Sequence, residues 1–574
     1  MTKPTSTKSP LPRPENGDVL DERLETLVDT KDKWVGLPLA DKIELAQSVL
    51  DKTLDVADRQ VAAAVQAKSI PRNSPLIGEE WLGGPMVILR TLRLTIDTLK
   101  AIDANGSPKL PRGSVRTRDD GQTVVDVFPA SYWDRLLFNG FSAQIWMQDE
   151  VTPKNLDEYM AEFYRRPSPE GKVALVLGAG NVASIGPLDV LYKLFVEGQV
   201  CILKMNPVND YLGPFIEESF AELMEGGFLR MAYGGADVGS YLCHHESVDE
   251  IHITGSDATH DAIVYGVGDE GARRKEEDDR LLDKRITSEL GNVSPVIVVP
   301  GDWKDSDLRF QAENVATQLA NNGGFNCNAA RVLITSKNWP QRETFLDHLR
   351  TVLAEIEPRK PYYPGALERF SDFVEESEGV ESFGPDGEGC LPWTLIVDVD
   401  CDEDDHICFS TESFCGVMSE TSLDADDPSA FLRQATLFCN DRVWGTLSAS
   451  IIIDPSTAKE HAEALDSAIA ELEYGSVVVN HWPAISYGLG VTSWGAFPGH
   501  TYDDIQSGIG VVHNSLMFDR PEKSVIKGPF RVFPKPPWFV TNRNTHRIAR
   551  RLTAFEHDPS FLKFIGVIKE ALKG

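Results

Sequence analysis

The feature that most constrains the fold is an alternation of short apolar strands with helices between residues 173 and 254. Val173–Leu177 is an unbroken apolar run, which is typical of a strand buried on both faces of a parallel sheet. A turn, a helix over Asp189–Phe195 and a second strand over Val200–Lys204 follow. Strands that alternate with helices indicate a doubly wound, Rossmann-like α/β domain.

The alternation resumes after a charged segment at residues 268–285, which we predict to be a solvated insertion loop. Pro295–Val299 opens a second sheet, and a helix over Asp307–Leu319 follows. The α/β pattern then continues to Ser476–Asn480. A second α/β domain is therefore expected in this part of the chain.

The segment before the first sheet has a different character. Residues 1–19 are rich in Pro, Thr, Ser and Lys and lack periodicity, so we predict a disordered arm. From residue 20 to about 103, apolar residues recur at helical spacing. Val124–Phe128 and Ala143–Met147 then alternate like strands.

Composition excludes several classes of protein. A chain of 574 residues with a formal charge of −32 lacks the clustered Lys and Arg that nucleic acids require. No run approaches the roughly 18 apolar residues of a membrane span. The eight cysteines are sparse and unpatterned, which favours reduced thiols. We therefore expect a cytoplasmic protein without a transmembrane segment or a nucleic-acid partner.

One cysteine stands in an unusual loop, Asn321–Arg331. Gly323 and Gly324 allow a sharp turn, and the strand Val332–Thr335 follows at once. Cys327 is thereby held near a strand end, where a thiolate could meet backbone N–H groups. The alternative is an inert, buried thiol, since free cysteines are often buried.

Two further stretches carry candidate chemistry. The turn Gly178–Ala183 resembles the dinucleotide fingerprint G-x-G-x-x-G/A, but the second strand ends in Lys204 where that fingerprint expects an acid. Asn181 in the turn could instead donate to an oxyanion. Glu289 precedes a buried strand, so it is either a desolvated general base or a surface glutamate.

Taken together, six motifs stand in a characteristic order: Asn181, Lys204, Thr254–Ser256, Glu289–Gly291, Gly324–Cys327 and Glu412–Phe414. Across residues 120–515 the chain thereby resembles the aldehyde dehydrogenase superfamily. The resemblance implies a Rossmann-like cofactor domain, an α/β catalytic domain and a small β-ribbon used for oligomerisation.

The resemblance also implies roles for single residues. Cys327 would be the nucleophile, Glu289 the general base, and Asn181 an oxyanion donor together with the Cys327 N–H. NAD or NADP would bind at Lys204, Gly255, Ser256, Leu290, Glu412 and Phe414. Among these, Lys204 would hold the adenosine ribose, Ser256 the pyrophosphate and Glu412 the nicotinamide ribose.

Several motifs depart from the family pattern. Where the family usually has Lys-Pro-Ser-Glu, Lys204–Pro207 has the sequence Lys-Met-Asn-Pro. Where the family usually has Glu-Leu-Gly-Gly, Asn292 replaces the last glycine. Gly180–Asn181, where many members have Pro-Trp-Asn, is similar to the fatty acyl-CoA reductase branch. The chain is thus expected to be a divergent member whose substrate cannot be inherited from common branches.

Three functions follow from the resemblance. The first is NAD(P)-dependent oxidation of an aldehyde to a carboxylic acid through a hemithioacetal and a thioester. The second is an acyl-CoA reductase, with coenzyme A as a further partner, and the third is an inactive structural or binding relative. Retention of Glu289 favours the first, because a thioester is hydrolysed only by activated water.

The domain boundaries expected on this basis are as follows. Residues 20–290 form the helical region and the NAD(P)-binding domain, with about 122–148 contributing to the ribbon. Residues 291–490 form the catalytic domain, and 491–540 return to the cofactor domain and an oligomerisation strand. A homodimer or homotetramer is expected.

Two peripheral features complete the predictions. Residues 541–574 are predicted to form a basic C-terminal helix, because Arg543, Arg547 and Arg550 recur at helical spacing. Cys401, His406, Cys408 and Cys415 cluster within fifteen residues, but without the tight pairs of a zinc site. No metal is therefore predicted.

Overall fold

A computed structural model describes residues 13–384, 389–425 and 427–574. Its strands, in chain order, are β1 (Val115–Thr117), β2 (Thr123–Phe128), β3 (Ser142–Met147), β4 (Val173–Leu177), β5 (Val200–Lys204), β6 (Leu229–Ala232), β7 (Glu250–Thr254), β8 (Arg285–Glu289), β9 (Ser294–Val298), β10 (Ala330–Ser336), β11 (Val380–Phe383), β12 (Trp393–Ile396), β13 (Val417–Leu423), β14 (Ser448–Ile452), β15 (Ser476–Val479), β16 (Trp494–Gly495), β17 (Val511–Val512) and β18 (Pro521–Lys527).

Its helices are α1 (Gly17–Gly36), α2 (Leu39–Ala67), α3 (Ile77–Trp81), α4 (Val87–Asn105), α5 (Tyr132–Leu137), α6 (Glu162–Arg165), α7 (Ile185–Phe195), α8 (Gly213–Ser219), α9 (Ala221–Glu225), α10 (Ala236–His244), α11 (Asp257–Val264), α12 (Gly268–Glu276), α13 (Asp305–Ala320), α14 (Arg342–Glu355), α15 (Ala366–Glu375), α16 (Ile407–Ser410), α17 (Pro428–Arg442), α18 (Pro455–Glu460), α19 (Ala462–Glu471), α20 (Ala484–Leu489), α21 (Thr545–His557) and α22 (Phe561–Ala571).

The first sheet has the strand order β6-β5-β4-β7-β8, and every neighbouring pair is parallel. β4 and β5 have the predicted bounds, and both are almost wholly buried between flanking helices. The predicted doubly wound α/β fold is therefore confirmed. Because carboxyl ends of parallel strands share one edge, this edge collects the residues that follow β4, β5, β7 and β8.

The second sheet is longer, with the order β1-β2-β3-β18-β15-β14-β9-β10-β13-β12-β11. The strands from β18 to β12 run parallel, and the outer pairs are antiparallel. Four residues separate β8 from β9, so the first sheet leads directly into the centre of the second. This short link places the carboxyl edge of one sheet beside the start of β9 and β10 in the other.

The predicted ribbon is formed by β2 and β3, which pair antiparallel. β18 then joins β3 to β15, so the ribbon extends the large sheet of the same chain. Its use in oligomerisation stays a prediction.

The structure corrects two local predictions. Helix α1 begins at Gly17, so the predicted arm does not reach residue 19; residues 1–12 of the arm lie outside the described residues. The charged segment 268–285 is partly helical, as α12, rather than a loop throughout. Pairs at helical spacing, such as Glu270 with Arg274, stabilise this exposed helix.

The predicted basic C-terminal helix is a pair of helices, α21 and α22, which pack on each other, and α21 also packs on α3 and α4. Ile548, Leu552 and Phe555 of α21 are buried, while Arg550 lies on the outside and pairs with Asp58. The apolar stripe docks the tail on its own chain. Of the residues that the structure describes, none belongs to a helix both long and apolar enough to cross a membrane.

Candidate active site

The cysteine loop is a sharp turn between α13 and β10. Asn322 and Gly324 have φ of 55° and 82°, and a Cβ at Gly324 would lie 2.5 Å from the Cys415 carbonyl oxygen. Glycine is therefore required at position 324 both for its backbone angle and for space. Trp482 fixes the far side by donating from Nε1 to the Asn328 carbonyl at 2.8 Å. The loop holds Cys327 half-buried.

Two cavities meet at Cys327. One, of about 470 Å³, is lined mainly by apolar side chains, and we call it the apolar tunnel. The other, of about 730 Å³, runs along the carboxyl edge of the first sheet, and we call it the sheet-edge cleft. Cys327, Asn181 and Glu289 line both. A group bound in either cavity can therefore reach the same sulfur atom.

Glu289 ends β8, and its carboxylate is a hydrogen-bond partner of the Cys327 thiol. Burial raises the pKa of Glu289 to about 8, against hydrogen bonds from Cys327 and Trp494 that lower it. Its Oε1 is buried without a hydrogen-bond partner. A carboxyl group with this pKa is mostly protonated at neutral pH, and its ionised fraction, which grows as the pH rises through 8, is the form that accepts a proton.

The Cys327 thiol has a pKa well above its usual value, first because of burial and then because of the neighbouring Glu289 charge. The sequence left open a thiolate beside backbone N–H groups, and the raised pKa means that the resting group is a protonated thiol. Cys327 instead begins as a thiol beside a base, and the attacking sulfur forms when its proton is taken up.

Asn181 lies in the turn after β4 and is buried. Its Nδ2 donates to the Phe325 carbonyl at 2.9 Å, which ties it to the cysteine loop. An amide Nδ2 carries two N–H donors, so this bond uses one of them. The geometry is compatible with the predicted oxyanion role, which stays a prediction.

A buried cation that sequence reasoning missed supports this turn. Lys68, at the end of α2, donates from Nζ to the Asn181 carbonyl at 3.0 Å and to Asn322 Oδ1 at 2.9 Å. Its charge is balanced by Glu80 at 2.9 Å. Tyr362 donates to the same Asn181 carbonyl at 3.1 Å. No local motif marks Lys68, because its partners are 113 and 254 residues away in sequence.

The sheet-edge cleft gathers the predicted cofactor residues: Lys204, Gly255, Ser256, Leu290, Glu412 and Phe414 all line it. Lys204 is buried at the end of β5, and burial lowers its pKa while the charge of Asp237 opposes this. Ser256 caps α11 by accepting from the Thr259 N–H at 3.2 Å. The residues are thus brought together; their binding roles stay predictions.

Glu412 lies deep in the cleft. Burial raises its pKa to about 7, and Arg331 opposes the rise. Its Oε1 is buried and unpartnered, and a Cβ at Gly291 would lie 2.2 Å from its Oε2. A buried acceptor without a partner is costly, so this carboxylate fits a ligand that donates hydroxyl groups, such as a ribose.

The sequence cluster of Cys401, His406, Cys408 and Cys415 is divided between half-buried and buried positions. Cys408 and Cys415 are buried. Among the described residues, the side chains close enough to share an ion there are Asp400, Cys401 and Asp402. This group lies at the surface, and its residues line neither cavity.

Parts of the chain are similar in sequence to known proteins. Residues 142–365 match the sequence model of the aldehyde dehydrogenase family. The chain is 25% identical over 309 residues to 4-trimethylaminobutyraldehyde dehydrogenase A of Danio rerio, covering 50% of this chain and 54% of the relative. It is 27% identical over 218 residues to the aldehyde dehydrogenase LUC3 of a Fusarium species, covering 37% and 40%. The chain thus spans about half the length of these curated relatives.

The similarity to solved structures extends over more of the chain than the sequence matches do. An NAD-dependent aldehyde dehydrogenase of Sinorhizobium meliloti has a TM-score of 0.58 at 17% identity, covering 90% of this chain and 88% of that one. An NADP-dependent glyceraldehyde-3-phosphate dehydrogenase of Bacillus halodurans, complexed with NADP, has a TM-score of 0.58 at 15% identity, covering 89% and 91%. At these identities the likeness concerns the fold.

Proposed function

Because the chain is a divergent member of the aldehyde dehydrogenase superfamily, we propose that it oxidises an aldehyde to a carboxylic acid with NAD or NADP. The observation that carries the proposal is the position of Cys327. Its sulfur lies where two cavities meet and is hydrogen-bonded to a carboxyl group whose pKa is about 8. Such a pair can form a covalent intermediate with one substrate and then release it.

The first steps belong to Cys327, Glu289 and Asn181. The thiol proton passes to Glu289 as the sulfur bonds to the aldehyde carbon, which gives a hemithioacetal. The former carbonyl oxygen carries the developing charge, and Asn181 Nδ2 and the Cys327 N–H are its donors. Removing one such donor typically costs about 3–4 kcal/mol of transition-state stabilisation.

The sheet-edge cleft fits the cofactor through the chemistry of its lining. Lys204 and Ser256 offer donors for ribose and pyrophosphate oxygens, and the unpartnered Glu412 carboxylate can accept from ribose hydroxyls. NAD or NADP supplies hydride acceptance when bound. Loss of that hydride from the hemithioacetal carbon leaves a thioester on Cys327.

Hydrolysis then needs a base. With its proton released to solvent, Glu289 takes a proton from water and the hydroxide adds to the thioester carbon. The C–S bond then breaks, and the sulfur takes the proton from Glu289 to return to the thiol. The burial that raises the pKa of Glu289 makes it a stronger base than an exposed carboxylate. This favours hydrolysis over the coenzyme A route, in which the second substrate brings its own nucleophile.

The test is a screen of mixed aldehydes that follows NAD(P)H absorbance, with and without coenzyme A. Cys327→Ala should abolish hydride transfer while the protein still binds cofactor. Cys401→Ala, which replaces a half-buried cysteine that lines neither cavity, is the matched control and should retain activity. Full activity of Cys327→Ala would overturn the mechanism, and strict dependence on coenzyme A would favour the reductase.

A further inference from the structure

Away from the cysteine loop, much of the apolar tunnel is built by segments that lie outside residues 142–365. Met86 lies just before α4, Leu137 ends α5, and Leu552 and Ile568 belong to α21 and α22. We call α21 and α22 the C-terminal hairpin. Residues 529–538, which contain Pro529, Pro534, Pro536 and Pro537 and form another wall, are the proline strap. The selectivity of this end of the site therefore rests on segments beyond the match to the family.

Basic side chains of the tunnel are already paired. On the proline strap, Arg531 bonds to Asp307 at 2.9 Å and Lys535 to Glu313 at 2.8 Å, both on α13. Glu79, nearer the cysteine loop, pairs with Arg359 at 2.7 Å. Among the described residues that line the tunnel, charged side chains other than Glu289 are thus balanced by neighbours. An anionic substrate group would find no free cation there.

The tunnel reaches the surface between α5 and the proline strap. Leu136 and Phe533 both line it, yet they are 36% and 87% exposed to solvent. Large apolar side chains that remain exposed at a cavity mouth mark a route for an apolar group rather than for a hydrated one. The path from this mouth to Cys327 is lined mainly by carbon.

The hairpin that covers the tunnel is firmly anchored. Glu556 of α21 is buried and pairs with Arg90 of α4 at 3.0 Å, and Arg90 also pairs with Asp134 of α5 at 2.8 Å. Trp133 packs edge-on against Phe555, with ring centroids 5.5 Å apart. The tunnel is therefore formed before any substrate arrives, and its volume of about 470 Å³ falls within the range of small-molecule sites.

We propose that the substrate of this site is an aldehyde carried on an extended, uncharged apolar group, whose chain occupies the apolar tunnel while its carbonyl meets Cys327. The proposal rests on the proposed oxidation. A short or anionic aldehyde would leave the tunnel unfilled or its charge unpaired. A medium-length alkyl chain would bury apolar surface along the whole path between Leu136 and Cys327.

The test is a series of straight-chain aldehydes from acetaldehyde to dodecanal, with succinic semialdehyde as a short anionic member. Each added methylene should raise kcat/KM by about fourfold until the tunnel is filled. Succinic semialdehyde should be turned over no better than butanal. A flat profile along the series, or a preference for the anion, would overturn the proposal.

Substitutions in the tunnel wall test whether the dependence of kcat/KM on chain length arises there. Ile568→Trp should lower the ratio of kcat/KM for decanal to that for acetaldehyde by at least about tenfold, because an indole would occupy the chain's path. Met86→Trp adds the same bulk from a tunnel residue outside the hairpin and should have the same effect, which guards against a result peculiar to position 568. Leu562→Trp is the matched control, since Leu562 lies on the same helix as Ile568 but is 84% exposed and outside the tunnel. Equal loss for both aldehydes would count against the tunnel.

Direct binding separates this inference from the proposed oxidation. Neutral alkanamides of increasing chain length are titrated into Cys327→Ala by calorimetry. Tighter binding of longer amides, weakened by Ile568→Trp, supports the tunnel even if no aldehyde is oxidised. Failure of every amide to bind would overturn the tunnel even if a short aldehyde were oxidised.

Discussion

Replacement of Glu289 by glutamine tests the chemistry most directly. With a pKa of about 8, the carboxylate form is about 1% of the wild type at pH 6 and about 90% at pH 9, so turnover limited by this base should rise nearly a hundredfold between them. In Glu289→Gln the rise should disappear, and turnover at pH 8 should fall by roughly a hundredfold or more.

A burst assay identifies the blocked step. Glu289→Gln should form about one NAD(P)H per active site and then stall with acyl-enzyme accumulated. Glutamine cannot take up the thiol proton, so the burst should form more slowly than in the wild type. The substitution also removes the charge that contributes to the raised pKa of Cys327, so the thiol can release its proton to solvent and the burst still reaches one equivalent. Stopped-flow absorbance with mass analysis of the quenched protein measures both species. Unimpaired steady turnover, or a pH profile unchanged by the substitution, would refute the reasoning.

The same substitution has a consequence for stability. The folded-state pKa of Glu289 is raised from 4.5 to about 8, so the fold favours the protonated carboxyl over the carboxylate. This contribution to the stability of the folded state is fully present below pH 4.5 and is lost as pH rises through 8. One pKa unit corresponds to about 1.4 kcal/mol, so ionisation costs the fold up to about 5 kcal/mol above pH 8. Urea unfolding at pH 5 and pH 9 should show that Glu289→Gln gains free energy of unfolding relative to wild type only at pH 9.

Three further predictions concern groups around the site. Lys68→Met removes one partner of a buried ion pair and should cost about 3–5 kcal/mol of unfolding free energy, while rescue by Lys68→Arg of kcat but not of KM would support its positioning of Asn181. Glu556→Gln should lower the free energy of unfolding by a similar amount, read by urea melts, and unchanged stability would show that Arg90 is satisfied without it. Asp237→Asn should raise the ratio of kcat/KM for NADP to that for NAD several-fold, because the carboxylate near Lys204 opposes a 2′-phosphate; an unchanged ratio would exclude this contact from cofactor choice.

The sequence predicted the elements whose signal is local. β4 and β5 have the expected bounds because an unbroken apolar run flanked by turns leaves little choice for a buried parallel strand. The helix expected from Asp189 begins instead at Ile185, since Pro187 is acceptable in the first turn of a helix. The prediction of a loop throughout residues 268–285 was wrong because high polarity indicated a loop, whereas opposite charges at helical spacing stabilise α12.

The site was predictable where residues sit at strand ends or in tight turns. Cys327, Glu289 and Asn181 are brought to one place, as the order of motifs suggested. Lys68 and Glu556 were not predictable, because their roles depend on partners far away in sequence. A lysine near the end of a long helix is ordinarily a solvated charge, and only the tertiary fold shows that it is buried.

The two cavities explain why burial at the thiol is compatible with chemistry. A sulfur between two polar clefts would be hydrated, and Glu289 would keep an ordinary pKa and be a weak base. Because one side is the apolar tunnel, Cys327 and Glu289 are shielded from bulk water and the pKa values of both rise. The C-terminal hairpin, which covers that tunnel, therefore affects base strength as well as substrate choice, although it lies more than two hundred residues beyond Cys327 in sequence.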